Sequence, residues 1–371
     1  MRREALATAA DMYEKAGNTG KTVATLERYV SLYESPFSEA IEARQRLLDM
    51  ATKSSNTARV QYWQRELIKA DTNAGSNRTD RSRLLAARAQ LSLALPARDE
   101  FRAIRLVAPL KKSLAAKRKA LEAARAAYRV AVDYRVAEVT TAATYETAEL
   151  YRKLAQDIMA SERPKKMSKE EREEYDTLLE EQALPFEDQA ITIHELNAVR
   201  TVDGLWDPSI QASFAALAHL KAGRYGKSEI MVQSVAGGSA PLVDGVAKRV
   251  AGDLPAAQKS LEAATAADAN NALAWTELGV VQRLQGSFAA AKQSYDRAIA
   301  ADLAYAPAYR NLGVLQDLYL GDPVTALPSF ERYKELSGED KPVSGWIAEL
   351  KQRIAKAAAK PAAEAPSGGK P

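Results

Sequence analysis

The sequence has no cysteine and only two histidines, His194 and His219. The first absence removes disulfides, thiolate metal sites and cysteine nucleophiles together. The second leaves few general bases or activated nucleophiles. Aromatic residues make up 7% of the chain, and no window approaches the roughly 18 uninterrupted apolar residues of a membrane helix. The net charge of +4 over 371 residues is too small to point to nucleic acid. A chain without cysteine suits either side of a bacterial inner membrane, so the compartment stays open at this point.

Glycine and proline are modest, at 18 and 15 residues. Alanine, leucine, lysine, arginine and glutamate dominate, which is a helix-rich composition. The length predicts two or three packing units or one long solenoid. The start, Met1-Arg2-Arg3-Glu4-Ala5, leads into an amphipathic pattern and not into a signal core.

From Pro241 to Leu336 the chain repeats itself. Gly245, Gly279 and Gly313 stand 34 residues apart, as do Gly252 and Gly286, Ala257 and Ala291, Leu261 and Tyr295, and Ala264 and Ala298. Two antiparallel helices approach closely only where side chains are small, so Gly279 and Ala291 mark a crossing that Trp275, Leu278 and Tyr295 surround. The next unit keeps Tyr309, Leu312 and Gly313. One extra residue at Gly321-Asp322-Pro323 then delays Ala326, Phe330 and Tyr333 by one place. The preceding unit has Pro241 where the aromatic should stand.

These residues resemble the tetratricopeptide repeat, a helix–turn–helix unit of 34 residues, most closely over 272–305. The resemblance implies an all-α solenoid of helical hairpins, with a central segment of longer helices here, because one hairpin cannot bury its apolar face alone. It also implies a non-catalytic function, binding a partner protein's helix or extended segment in the concave groove lined by the first helices. The groove positions are the fifth, sixth, ninth and twelfth of each unit. They give Thr276, Glu277, Val280 and Arg283, then Arg310, Asn311, Val314 and Asp317, all expected to be exposed. Asn311 stands where the family often keeps an asparagine that bonds a bound peptide's backbone, since an amide both donates and accepts. A clamp for a C-terminal carboxylate would need Lys and Asn where Thr276 and Val280, or Leu242 and Val246, stand. That argues against a chaperone-tail receptor.

The remaining chain reads in order. Residues 1–72 form four helices in two degenerate hairpins. They have no polar capping helix before them, as though the chain began inside a longer repeat protein. Residues 78–236 are a non-repeat segment. A helix over 78–95 stops at Pro96, long helices follow over 111–136 and 139–161, and Ser168 with Glu171 forms a capping box for a helix to about Ala198, kinked at Pro185. Gly237-Gly238-Ser239 is the joint to the repeats of 239–356, and 357–371 is an Ala/Pro/Lys tail expected to be disordered.

Within Leu150–Tyr225, Leu150-Tyr151-Arg152-Lys153, Ser161-Glu162-Arg163-Pro164, Leu184-Pro185-Phe186-Glu187 and Ala222-Gly223-Arg224-Tyr225 carry a second resemblance. They look like envelope tetratricopeptide proteins of proteobacteria linked to TonB-type energy transduction or gliding motility. This implies a periplasmic or outer-membrane-associated scaffold, with an export or lipid-anchor signal upstream and partners in an envelope complex. A cytoplasmic setting is the alternative.

Other candidate chemistry is thin. Gly20-Lys21-Thr22 ends like a phosphate loop, but Lys15 occupies the place of its first glycine and no strand precedes it. His194-Glu195 begins like a zincin helix, but the second histidine would fall at Ala198. The acidic run Glu170–Glu181 reads as a solvated helix face. No Gly-x-Ser-x-Gly or Gly-x-Gly-x-x-Gly occurs. No cofactor, metal or catalytic residue is therefore expected. Residues 78–125 carry thirteen Lys/Arg against four acids, with Phe101 nearly the sole aromatic before Tyr128. This leaves an anionic polymer, of cell wall or nucleic acid, as an alternative ligand class, although single-strand binding would call for stacking platforms. A solvated face, or a dock for the Glu170–Glu181 helix or for an anionic envelope polymer, fits that shortage of aromatics better than nucleic acid does.

Overall fold

The structure is a computed structural model that describes residues 2–164 and 166–359. The fold is all-α, and among the described residues there is no strand. The chain divides into two compact units, 1–193 and 194–371. The division falls near the end of one long helix.

The first unit opens with two hairpins: α1 (Arg2–Lys15) on α2 (Thr19–Leu32), then α3 (Phe37–Lys53) on α4 (Thr57–Asn73). Asn18 and Asn56 cap α2 and α4 by accepting from the amides of Lys21 and Arg59, both at 3.1 Å. Gly20-Lys21-Thr22 is thus simply the first turn of α2. Ala10, Leu26, Tyr29, Leu47 and Trp63 form the shared core. A Thr79–Ser82 capping box opens α5 (Asp80–Leu93). Pro96 does not end helical structure as expected. It lies in the first turn of α6 (Leu95–Ala103), where a proline has no helical N–H to lose. The pair α7 (Leu110–Val132) and α8 (Ala137–Met159) follows. Ser168 and Glu171 exchange the expected reciprocal bonds at 2.7 and 3.1 Å at the head of α9 (Lys169–Ala198), which carries Pro185 inside it.

The second unit passes through a 3₁₀ turn, Val199–Asp203, to α10 (Pro208–Leu220), capped by Asp207, and the short α11 (Ala222–Tyr225). After a non-helical stretch come three hairpins: α12 (Ala240–Val250) with α13 (Leu254–Ala267), α14 (Ala272–Leu284) with α15 (Phe288–Ala301), and α16 (Ala306–Val314) with α17 (Pro323–Ser337). α18 (Val343–Ala358) packs on the last. Residues 357 and 358 of the expected tail belong to this helix, and 360–371 lie outside the described residues.

The 34-residue period has a visible cause. A methyl group on Gly279 would lie 2.4 Å from a ring carbon of Tyr295, one on Gly245 2.6 Å from Leu261, and one on Gly313 3.0 Å from Phe330. Each glycine lets its partner helix close in on the backbone. The extra residue of the last repeat sits somewhat earlier than the sequence suggests. α16 continues into a π turn, Leu315–Tyr319, in which the Leu320 amide reaches back five residues to the Leu315 carbonyl at 3.0 Å. A π turn absorbs one added residue inside a helix. Phe330 thereby still meets Gly313 despite arriving one place late.

Candidate functional site: a groove filled by the chain itself

The first helices of the three hairpins present side chains toward the stretch that joins α11 to α12, residues 226–239, which forms no helix. Its backbone is held at every second residue. Arg310 Nε donates to the Ser228 carbonyl at 2.8 Å. Asn311 accepts from the Ile230 amide at 2.7 Å and donates to the Ile230 carbonyl at 2.9 Å. Glu277 accepts from the Val232 amide at 3.1 Å, while Arg249 donates to the Val232 carbonyl and, at 2.8 Å, to Glu277. A two-residue rhythm at 228, 230 and 232 is that of an extended chain.

Side chains of the stretch are also anchored, the Ser228 hydroxyl by accepting from Arg310 at 3.1 Å. Lys227, fully buried, lies 2.5 Å from Asp317 and 2.7 Å from Glu349. Arg353 bonds both of those acids, reaching Glu349 at 2.9 Å. Glu229 pairs with Arg283, whose Nε is 2.8 Å away, and accepts from the Tyr295 hydroxyl at 2.7 Å. Arg283 also lies over the Tyr319 ring, 5.5 Å from its centroid.

Burial sets the electrostatics. It pushes the Glu277 carboxyl above its ordinary pKa, with Arg249 and the Val232 amide pulling the other way. It pushes the Tyr295 hydroxyl well up, and Glu229 adds to the shift. For Arg283, burial opposes the charge but Glu229 outweighs it, so the guanidinium is held above its usual value. For Glu349, burial opposes ionisation, and the bonds from Lys227 and Arg353 overcome it.

Of the eight groove positions read from the sequence, Glu277, Arg283, Arg310, Asn311 and Asp317 all touch the 227–232 stretch. They are not open surface, because the chain's own segment covers them. Thr276, Val280 and Val314 are buried for another reason. Thr276 bonds back to the Ala272 carbonyl at 2.9 Å within α14. Val280 belongs to the core with Phe288, Ala291, Tyr295 and Leu312. Val314 is 2% exposed. Sequence reasoning missed Arg249, Tyr295, Glu349, Arg353 and the segment itself. The alternation of Lys227 and Glu229 between two glycine-containing joints was the available signal.

No family model and no curated protein matches the chain. Among solved structures, it is similar to the TPR2AB-domain:pHSP90-complex of yeast Sti1, with 12% identity over 96% of this chain and 98% of that one. The TM-score is 0.26, too low for anything here to rest on it. The all-α assignment stands on the helix pairs and their glycine crossings.

The other sequence candidates resolve locally. His194 is buried and shares a 3.3 Å contact with the Ser213 hydroxyl, to which Asn197 also donates at 2.9 Å. In the basic stretch, Arg78, Arg81, Arg83, Arg88, Arg98, Arg102, Lys117 and Arg125 are paired with carboxylates. Those acids come from Asp71, Glu42, Asp80, Glu138, Asp99, Glu146, Asp157 and Glu122. None belongs to the Glu170–Glu181 run that the sequence offered as a dock. Lys117 is 0% exposed and also donates to the carbonyls of Phe101 and Ile104 at 3.1 and 2.7 Å. Eight of the thirteen cations of the stretch are thus paired with carboxylates, five of them with acids from outside it.

Proposed function

We propose that the protein is a non-catalytic interaction scaffold that holds an extended segment of a partner protein in the groove of α12, α14 and α16. One observation carries this reading: Asn311 both donates to and accepts from the backbone of a single residue. Arg249 and Glu277 repeat that arrangement two residues further on. Side chains that satisfy backbone N–H and C=O groups serve an extended chain of many sequences, which is how a peptide-binding groove gains affinity. The polar side chains of Arg249, Glu277, Arg310 and Asn311 are engaged in that task. The proposed setting is the cell envelope, on the strength of the resemblance over Leu150–Tyr225.

The test is affinity capture from an envelope extract, with the full chain and an Arg310→Ala/Asn311→Ala variant shown by circular dichroism to be folded. A partner retained by the wild type and lost by the variant is the expected result. Equal capture by both would remove the groove from the function. Cell fractionation checks the setting, and recovery of the chain wholly in the cytoplasm would overturn it.

A further inference from the structure

The groove already contains a ligand-like segment, and its chemistry says what else would fit. We infer that Lys227–Val232 is an exchangeable internal occupant, displaced by a partner segment of the same pattern. That pattern is a lysine and a glutamate two residues apart in an extended chain, with an aliphatic residue directly after the glutamate. This deepens the groove reading and rests on it.

Three observations support exchange. The segment lies between Gly226 and Gly237-Gly238 and belongs to no helix, so it can leave without unwinding one. It is partly open to solvent: Ser228 and Met231 are exposed, Met231 by 39%, although the Ser228 hydroxyl also accepts from Arg310 at 3.1 Å and the Met231 sulfur lies 4.0 Å from Arg249. The hairpins that form the groove meet through their own residues. Leu242, Val246, Leu261 and Leu278 make one core, to which Val232 and Val235 of the stretch only add at the edge.

The charges supply the selectivity. Asp317 is 0% exposed at its side chain, and the Arg283 side chain is 11% exposed. An incoming segment without the lysine leaves Asp317 and Glu349 sharing Arg353 alone. One without the glutamate takes the carboxylate partner from Arg283, which keeps only the Tyr319 ring, and from the Tyr295 hydroxyl. A buried charge that loses its partner disfavours the complex strongly. The backbone clamp at Asn311 then sets the register, because it engages the residue that follows the glutamate.

The experiment uses the full chain and a fluorescein-labelled peptide, Gly-Lys-Ser-Glu-Ile-Met-Val-Gln, read by fluorescence anisotropy. A Lys227→Ala/Glu229→Ala variant weakens the internal occupant. It is expected to bind the peptide at least tenfold more tightly than the wild type. It should bind the charge-exchanged peptide, Gly-Glu-Ser-Lys-Ile-Met-Val-Gln, at least tenfold more weakly than the first. A folded variant that binds no better than the wild type, or that binds both peptides alike, overturns the proposal. If that variant does not fold, amide exchange on the wild type decides. Ile230 and Val232 amides exchanging well ahead of the interior of α14 support an exchangeable segment. Exchange only at the rate of global unfolding makes it a fixed strap and overturns the proposal. Should the peptide fail while capture still depends on Arg310 and Asn311, the groove reading survives without this charge pattern. Failure of both ends the groove reading itself.

Discussion

Asn311 receives a hydrogen bond from the Ile230 amide at 2.7 Å and returns one to its carbonyl at 2.9 Å, across 81 residues of chain. The asparagine is 0% exposed. Its amide thus satisfies both backbone groups of one residue in a stretch that has no helix of its own to satisfy them.

Replacing Asn311 with alanine removes both bonds and leaves two half-buried backbone groups without partners. Asn311→Ala should lower the stability of the C-terminal unit by about 1–3 kcal/mol. Asn311→Asp should be at least as harmful at neutral pH, because a carboxylate accepts from the amide but repels the carbonyl. Urea denaturation of the three proteins checks the order, and an aspartate variant equal to wild type would contradict it.

The buried ion group at Lys227 gives a second expectation. Lys227→Met leaves Asp317 and Glu349 with Arg353 as their remaining cation. Breaking a buried pair in this way costs about 3–5 kcal/mol, and Arg353 should keep the loss near the lower figure. Asp317→Asn added to Lys227→Met should cost less than the sum of the two singles, since the second change removes the charge that the first stranded. A double-mutant cycle from denaturant unfolding measures the difference, and strict additivity would show that the pair is not coupled.

How far the sequence revealed this arrangement differs between its parts. The glycines at 245, 279 and 313 were legible because a close crossing tolerates only a small residue, and the requirement recurs in every hairpin. Asn311 was legible through its place in the repeat. The 227–232 stretch was not, because it has no period, and its partners lie up to 122 residues away at Glu349. Thr276, Val280 and Val314 were misplaced because position in a repeat does not show what packs over a helix face, and at Val280 that is a core with Phe288, Tyr295 and Leu312. The extra residue of the last repeat was seen, but its seat in a π turn depends on hydrogen bonding that composition does not show. Lys117 looked like part of a basic surface because sequence neighbours, not spatial ones, set that impression.

The glycine crossings can be tested in order of tightness. Gly279→Ala would place a methyl 2.4 Å and 2.6 Å from two carbons of the Tyr295 ring, which Gly279 and the bond to Glu229 hold in place. Gly313→Ala would meet Phe330 at 3.0 Å, a contact that a shift of a few tenths of an ångström relieves. Overpacking a filled core costs typically about 1–3 kcal/mol. Gly279→Ala should therefore lie at the upper end and Gly313→Ala at or below the lower end. Thermal melts of both variants check the ranking, and the reverse order would mean that the α16 crossing is the stiffer of the two.

The N-terminal hairpins carry a pH signature in Tyr29, which is 2% exposed and donates to Glu39 at 2.7 Å. Burial, and then the bond to the Glu39 carboxylate, push its hydroxyl up from 10.0 to about 12. Below pH 10 the hydroxyl keeps its proton in both the folded and the unfolded chain, so its full contribution to stability is present. Between pH 10 and about 12 the unfolded chain ionises while the fold still holds the proton. Unfolding then releases a proton, and stability falls as the pH rises. Tyr29→Phe has no such group, while every other tyrosine is common to the two proteins. The stability advantage of wild type over Tyr29→Phe should hold steady from pH 8 to 10 and shrink between pH 10 and about 12. Urea midpoints at each pH give the comparison. A gap that stays constant through pH 12 would show that Tyr29 ionises alike in both states, and that its bond to Glu39 is not maintained in solution.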